Sequence, residues 1–283
     1  RDLLIFARFV MNLGKWGGKQ YLNEEFMRAA ISKQTYNDTG SIIPCENHGY
    51  GYLIWKTPRD GFAFLGMANQ LAICDPKTDV IFVITSENMG MADTSEMLIC
   101  HGLYKTILEE LGEPLPENEK AYSELVEYMS SRKMLALTGG VESSIAEKIC
   151  GKTYKLDTNP MGIDTLRVTI DGEKGILEYT NEDGLNTIVF GMGYNEFGRF
   201  PGKKRMSITA SVYEDGDYDC GASAIWCEES KLHIMVRVID VYLGTLSIVL
   251  GYKDDRVSVT MAKHAQRILD NYSGFAIGHE VKM

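Results

Sequence analysis

The sequence predicts an α+β chain in two parts: helices on a small antiparallel sheet, followed by an antiparallel β domain. Three observations carry this. The first hundred residues alternate helical and strand-like runs, a Glu- and Pro-containing stretch follows, and from Cys150 onward short strand runs recur with almost no helix signal. With 283 residues, 45% hydrophobic and 24% charged, the chain can build two cores, and disordered, collagen-like and coiled-coil classes are excluded. The expected organisation is a first domain over 1–111, an acidic helical connector over 112–148 and a β domain over 149–283.

Asp2-Leu3-Leu4-Ile5-Phe6-Ala7-Arg8-Phe9-Val10-Met11 is amphipathic at helical spacing and opens a helix over 2–13. The Gly-rich turn 14–19 leads to a strand-like Tyr21-Leu22, and Asn23 stands as N-cap to a helix over 23–31 with Glu24 and Glu25 in its first turn. Strand-like runs follow at 50–56, at 62–65 continuing through 70–74, and at 80–85. Pro58-Arg59-Asp60-Gly61 and Asp75-Pro76-Lys77-Thr78-Asp79 separate them, which suits an antiparallel meander with tight turns. Met97, Leu98, Cys100, His101, Tyr104, Ile107, Leu108 and Leu111 then form a helical stripe, placing a helix over 95–111 on one face of that meander. From Glu109 to Glu127 there are seven Glu against one Lys, with Pro114 and Pro116 inside, a solvated connector that enters a short helix over 117–131.

Beyond it lie strand runs at 153–156, 166–170, 176–180, 187–191, 206–210, 222–226, 232–239, 243–252 and 257–261, joined by polar turns such as Asp171-Gly172-Glu173 and Glu182-Asp183-Gly184. Such a succession makes a closed antiparallel barrel or a sandwich. Leu232-His233-Ile234-Met235-Val236-Arg237-Val238 alternates cleanly, so His233, Met235 and Arg237 share one face. Tyr154, Phe190, Trp226 and Tyr242 are expected in the core, with a pocket lining as the competing role. The Gly-rich stretch 193–202 is expected to be a mobile loop or pocket rim.

The 39 acidic against 29 basic residues, a net charge of -10, argue against a nucleic-acid or anionic-membrane surface. The longest apolar runs, such as Val80-Ile81-Phe82-Val83-Ile84, fall far short of a membrane span. Six cysteines without a Cys-x-x-Cys pair are expected as buried free thiols, and five scattered histidines give no metal-ligand spacing, so neither metal nor cofactor is called for. The chain starts at Arg1 inside an amphipathic run and is expected to be a cut fragment, which leaves its location open.

Three segments carry a family pattern: 2–9 followed by Gly14-Lys15-Trp16-Gly17-Gly18-Lys19-Gln20-Tyr21-Leu22; Gly49-Tyr50-Gly51-Tyr52-Leu53-Ile54-Trp55; and the run from Gly66 to Pro76 leading into 79–85. In order and spacing they resemble the carboxy-terminal half of the β-lactamase-related serine hydrolases, the class C-like, penicillin-recognising group that includes D,D-peptidases, esterases and amide hydrolases. The resemblance covers about residues 1–110. It implies a bacterial parent protein that cleaves an amide or ester of a small or peptide-like substrate through an acyl-enzyme, with the nucleophilic Ser and its Lys or Tyr base upstream of this chain. The family's third motif aligns with Phe64-Leu65-Gly66, so the implied oxyanion donor is the N–H of Met67, with Asn69 and Gln70 beside it. Phe64 stands where the family has a cation and Asn69 where many relatives have Gly; the competing reading makes 62–70 a plain buried strand and turn.

Ser130-Ser131-Arg132-Lys133 fits Ser-x-x-Lys and Tyr21-Leu22-Asn23 fits Tyr-x-Asn, but both stand out of the family's order and are rejected, as are Ser41, Ser143 and Ser144, which lack any nucleophile context. The β-rich part offers Cys150-Gly151-Lys152-Thr153-Tyr154, Asn159-Pro160-Met161-Gly162 and Asp240-Val241-Tyr242-Leu243-Gly244-Thr245, and in its strand count and the late Tyr272-Ser273-Gly274-Phe275 it looks lipocalin-like, that is, a barrel. This chain alone is then expected to be inactive. The alternative is a non-catalytic binding module whose barrel recognises a small ligand, a cell-wall fragment or a partner protein. In the family other strands lie beside the run 80–85, so its edge is expected to pair, in a homodimer or with an amino-terminal piece.

Overall fold

A computed structural model describes residues 1–283 except 38, 39, 41, 42, 44, 45, 89, 203, 204, 207–212, 215, 241, 242, 266, 267 and 283, and except the side chains at 92, 205, 206, 213 and 214. Ser41, Cys45 and Tyr242, and most of the expected strand 206–210, therefore lie outside the described residues. The chain divides into two compact units, Arg1–Glu117 and Asn118–Met283. The division falls inside the stretch 112–148, and the connector's helix goes with the second unit.

In the first unit α1 (Asp2–Met11) buries Ala7 and Val10 and places Asp2 in its first turn and Arg8 in its last, each suited to the helix dipole. It stops short of residue 13 because Leu13 and Gly14 take left-handed φ values of 54° and 79°. Gly17 and Gly18, also at positive φ, turn a two-residue hairpin between β1 (Lys15–Trp16) and β2 (Lys19–Gln20), so the strand expected at Tyr21-Leu22 sits earlier. In α2 (Glu24–Ile31) the Asn23 side chain accepts the Phe26 N–H at 2.9 Å, as the N-cap reading requires. The run 50–56 is strand only at its end, β3 (Trp55–Lys56), because Leu53 turns at φ 59°. Next come β4 (Phe62–Gly66), β5 (Gln70–Asp75) and β6 (Val80–Ile84). The sheet order β3-β4-β5-β6 is the expected antiparallel meander.

Period-2 alternation sends Phe62, Phe64, Ala72, Cys74, Ile81 and Val83 to one face, with Ala7 and Val10 of α1 and Met27 and Ala30 of α2. Ala63, Leu65, Ile73, Val80 and Phe82 go to the other, with Cys100, Leu103, Tyr104 and Leu108. Those residues come from α3 (Ala92–His101), a π-helical stretch Gly102–Ile107 and α4 (Leu108–Glu110). The meander is thus covered on both faces, one of them by the helical stripe expected over 95–111.

In the second unit α5 (Glu119–Ser131) is capped by Asn118, whose side chain accepts the Ala121 N–H at 3.0 Å. A strap then runs over the barrel wall, with Leu137 N–H on Ser223 Oγ at 2.9 Å and Trp226 N–H on the Gly140 carbonyl at 2.7 Å. It leads to α6 (Ala146–Ile149), whose Ile149 enters the barrel core. The strands are β7 (Thr153–Leu156), β8 (Thr165–Asp171), β9 (Lys174–Asn181), β10 (Gly184–Met192), β11 (Glu196–Phe200), β12 (Arg205–Met206), β13 (Tyr213–Glu214), β14 (Tyr218–Glu228), β15 (Lys231–Ile239), β16 (Leu243–Lys253), β17 (Arg256–His264) and β18 (Gly274–Glu280).

The order β10-β9-β8-β7-β18-β17-β16-β15-β14 closes on itself where Gly191 meets Ser223 and Met192 meets Ala224, so among the described residues nine strands form a closed β-barrel, antiparallel except at that junction. It is not a sandwich. Half of the stretch 193–202 is strand, because β11 pairs antiparallel with β14 from Glu196↔Ala222 to Phe200↔Tyr218. The expected strand list also omitted β18, which joins β17 to β7. Leu232, Ile234, Val236 and Val238 of β15 point inward, leaving His233, Met235 and Arg237 on the outer face, where His233 Nε2 meets Ser247 Oγ at 2.8 Å. Cys74, Cys100 and Cys220 are buried thiols, Cys150 is partly so, and Cys227 is exposed, contrary to expectation.

Candidate functional site

Leu177, Phe190, Ala222, Leu232, Ile234, Leu246, Ile248, Leu250, Val257 and Val259 have no exposed surface at all. Zero accessible area leaves no water-sized void beside these side chains, so the middle of the barrel is filled by the chain itself. Tyr154, Phe190 and Trp226 belong to this packed core. One end carries α6 with Ile149; near it, burial pushes the Tyr154 phenol up to about 12 and that of its neighbour Tyr252 higher still.

The other end is hollow. A cavity of about 520 Å³ opens there, within the size range of small-molecule sites. Its floor is apolar and aromatic: Met161, Phe200, Tyr218, Ile268, Leu269 and Tyr272. Polar side chains line the rest, Asn181, Glu182, Asp183, Asn186, Asp270 and Asn271.

Local structure holds each part in place. The β9–β10 hairpin supplies one wall, because Asn181 Oδ1 accepts the Asp183 N–H at 2.9 Å and Asn186 Nδ2 at 2.9 Å, an Asx turn closing on Gly184 at φ 102°. β11 ends at Phe200, directly across the ladder from Tyr218 at the start of β14. The connection from β17 to β18 brings Ile268 and Leu269 under the cavity, with Tyr272 N–H on the Leu269 carbonyl at 3.0 Å. Tyr272 is fixed twice more: its hydroxyl is 2.7 Å from that of Tyr179, and the Phe200 ring meets it edge-on with centroids 5.2 Å apart. Burial pushes both phenols above their ordinary range, so the pair holds two hydrogens and uses one of them internally. Lys263, inward-facing on β17, gives its ammonium to the Asp270 carboxylate and, at 3.1 Å, to the Ile268 carbonyl.

A second groove of about 470 Å³ adjoins the first and shares Asp183, Asn186, Pro201 and Gly202 with it. It follows from the ladder. β10 pairs with β9 along its length but with β14 only at Gly191 and Met192, so a slot lined by Leu185, Thr187 and Val189 opens on its outer side.

The residues picked out in the first unit lie elsewhere. Phe64, Leu65 and Gly66 end β4, Met67 is 57% exposed at the hairpin tip, and Ala68 and Asn69 turn the chain at left-handed φ before Gln70 opens β5. Phe64 packs on Phe6 with ring centroids 5.2 Å apart and on Phe62 at 6.0 Å. Asn69 is buried, its Oδ1 accepting Asn88 Nδ2 at 3.0 Å and its Nδ2 pointing to Glu96 Oε2 at 3.5 Å; the Gln70 amide donates to the Ser86 carbonyl. Both polar side chains are therefore turned into the hairpin's own support.

The rejected serines serve structure as well. Ser130 and Ser131 hydroxyls donate back to the Glu127 and Tyr128 carbonyls at 2.9 and 2.8 Å, while Ser143 and Ser144 bond to Glu229. Among the described residues there is no group of three His, Cys, Asp or Glu able to hold a metal, and no helix long and apolar enough to cross a membrane. Sequence reasoning placed a pocket rim at 193–202, and residues 200–202 do line the end cavity. It missed Asn181, Asn186 and 268–272, whose only signal was turn chemistry.

No family model and no curated protein matches this chain. Solved structures similar to it include the fatty acid binding protein of Schistosoma mansoni in complex with arachidonic acid, at 13% identity and a TM-score of 0.34, covering 48% of this chain and 98% of that one. Lipid binding protein 8 of Caenorhabditis elegans, without ligand, matches at 12% and 0.33, covering 50% and 99%. The fatty-acid-binding protein isolated from Manduca sexta matches at 14% and 0.30, covering 47% and 99%. Likenesses this distant transfer neither fold nor ligand; the barrel stands on its own strand order.

Proposed function

We propose that this chain works as a non-catalytic binding module whose barrel holds a small molecule at one end. What supports the reading is a 520 Å³ cavity with an aromatic floor and convergent polar groups above a packed barrel. The chain's own side chains fill the middle, so the ligand sits on the barrel, and a long apolar tail has no space below the floor. Titrating the full chain with a library of small ring compounds and following the side-chain amides of Asn181, Asn186 and Asn271 by NMR tests this. Binders are expected to shift these amides, and Tyr272→Ala, at the partly exposed ring of the floor, to weaken their binding about fivefold, since an aromatic contact carries roughly 1 kcal/mol beyond burial. A library whose hits all move resonances elsewhere would refute the reading.

The hydrolase reading is the second one. It is favoured by the β4–β5 hairpin, which falls where the resemblance sets the third motif, with Phe64, Leu65 and Gly66 leading to Met67, Asn69 and Gln70. In that reading the chain is half of an acyl-transfer enzyme, and its own serines stay unlabelled by a serine-reactive phosphonate. Labelling at a defined serine would end the claim that this half is inert.

The partner proposed for the first unit is a second copy. β6 ends the sheet, presents five half-buried apolar residues and pairs only with β5 among the described residues. Edges of this kind, without Lys or Pro to blunt them, pair readily. Sedimentation equilibrium should show a dimer; a monodisperse monomer at high concentration counts against it.

A further inference from the structure

A second copy that pairs with the β6 edge meets more than a strand there. α1 packs on β5 and β6 alike, and its two flanks are fixed by their contacts. Phe6 stacks on Phe64 of β4 with ring centroids 5.2 Å apart, so that flank looks back over the sheet. Arg8 reaches Asp79, the residue before β6, with Nη2 3.1 Å from Oδ2, so the opposite flank looks out over the edge. Leu4 stands one turn before Arg8 and shares this outward flank. Along it runs a groove of about 390 Å³ lined by Leu4, Ile5, Arg8, Trp16, Asp79 and Ile81. Leu4, Ile5 and Trp16 are between 43% and 48% exposed, large apolar side chains in a row beside an uncovered strand.

Antiparallel pairing of β6 with its own copy needs a two-fold axis perpendicular to the sheet, and such an axis keeps both α1 helices on the same face. A helix seated over β5 and β6 has its axis half a strand spacing inside the edge. With strands about 4.8 Å apart, α1 and its copy then lie about 10 Å from each other, the distance at which helices pack. The flanks that face across this gap are the ones carrying Leu4 and Arg8. Area points the same way, since a stable dimer buries about 800 Å² per partner and a five-residue edge is too short to supply it. The groove is the apolar surface that continues the edge, through Ile81 of β6 itself. We propose that a second copy of this chain closes the groove, the outward flank of α1 packing antiparallel on the same flank of its partner with Leu4 and Ile5 of both copies at the seam. The inference rests on the β6 pairing. Arg8 and Asp79 already neutralise each other within one copy, so the seam takes in no unpaired charge.

The test uses the full chain. Sedimentation equilibrium gives the dissociation constant of the native dimer, and hydroxyl-radical footprinting above and below that concentration reads single side chains. Leu4, Ile5 and Trp16 are expected to be reactive in the monomer and protected in the dimer, while Leu53, 84% exposed near β3 at the far end of the sheet, stays reactive in both. Ile5→Glu should weaken the dimer at least about tenfold, because it puts a charge without a partner where apolar surface is to be buried. Position 5 is half exposed in the single chain, so the variant keeps the fold, and unchanged hydrogen exchange in β4 and β5 verifies that. A native chain that stays monomeric would overturn the β6 pairing and the seam together. A native dimer in which Leu4, Ile5 and Trp16 remain as reactive as in the monomer, or which Ile5→Glu leaves as tight, would overturn the seam and leave the β6 pairing standing. Protection of the three side chains already in the monomer would mean that something other than a second copy covers the groove, and would overturn the seam as well.

Discussion

Phe190→Ala is expected to destabilise the barrel by about 3–5 kcal/mol, and Gly175→Ala by about 1–3 kcal/mol, yet the two together should cost little more than Phe190→Ala alone. Gly175 of β9 lies directly across the ladder from Phe190 of β10. A Cβ on Gly175 would stand 2.2 Å from Phe190 Cε2 and 2.3 Å from Cζ, so the ring lies over the bare glycine backbone. The ring has no exposed surface and no room to retreat. Alanine at 175 must push it, or the strand, out of place; without the ring, the same methyl enters the space left behind. Denaturant unfolding of the two single variants and the double, followed through the buried Trp226, gives the coupling. Additive losses would mean that the barrel yields at this point and that the lumen is not packed as described.

This pairing also shows where sequence reasoning succeeds. Alternation in β15 and β16 is legible because each inward residue except Gly244 is Leu, Ile, Val or Tyr and each outward one is mixed, so register and burial follow from period alone. Asn23 and the Gly-containing turns were likewise legible, since capping and positive φ need those residue types. β11 was not. Glu196-Phe197-Gly198-Arg199-Phe200 has two Gly nearby and no alternation of its own, and it becomes strand because β14 beside it is eleven residues long and offers a free edge. β18 failed similarly, with Gly274 and Gly278 breaking the pattern that its neighbours β17 and β7 impose.

The end cavity was less legible than the fold for a physical reason. Its walls come from three places far apart in the chain, the turn after Asn181, the end of β11 and the loop 268–272, and only closure of the barrel joins them. Each fragment alone reads as an ordinary polar turn. In the first unit the situation is reversed: residues 64–70 form a local motif that sequence can see, but the structure shows Asn69 and Gln70 bonded inward to Asn88, Glu96 and Ser86.

Glu96→Gln should stabilise the first unit at pH 8.5 by up to about 3 kcal/mol and leave it nearly unchanged at pH 4. Glu96 is 9% exposed, its Oε1 is buried without a hydrogen-bond partner among the described residues, and its Oε2 has only the long contact from Asn69. Burial, then the nearby Glu46 and Asp93 carboxylates, pushes its pKa up from 4.5 to about 7, against a smaller opposing effect of Asn69. The sign follows. Below about pH 4.5 the carboxyl is protonated both folded and unfolded, and its burial carries no ionic penalty. Between there and about pH 7 the folded unit keeps the proton that the unfolded chain has lost, so stability falls as pH rises, and above pH 7 the full penalty is present. Glutamine is neutral throughout and removes this slope. Because Asn69 turns the β4–β5 hairpin over Glu96, hydrogen exchange of β4 and β5 at pH 5.5 and 8.5 reads the effect without interference from the barrel. Protection in the native chain should drop at the higher pH and hold steady in the variant; equal slopes in both would show that Glu96 is ionised and solvated at neutral pH, and the hairpin would then be held by Ser86 and Asn88 alone.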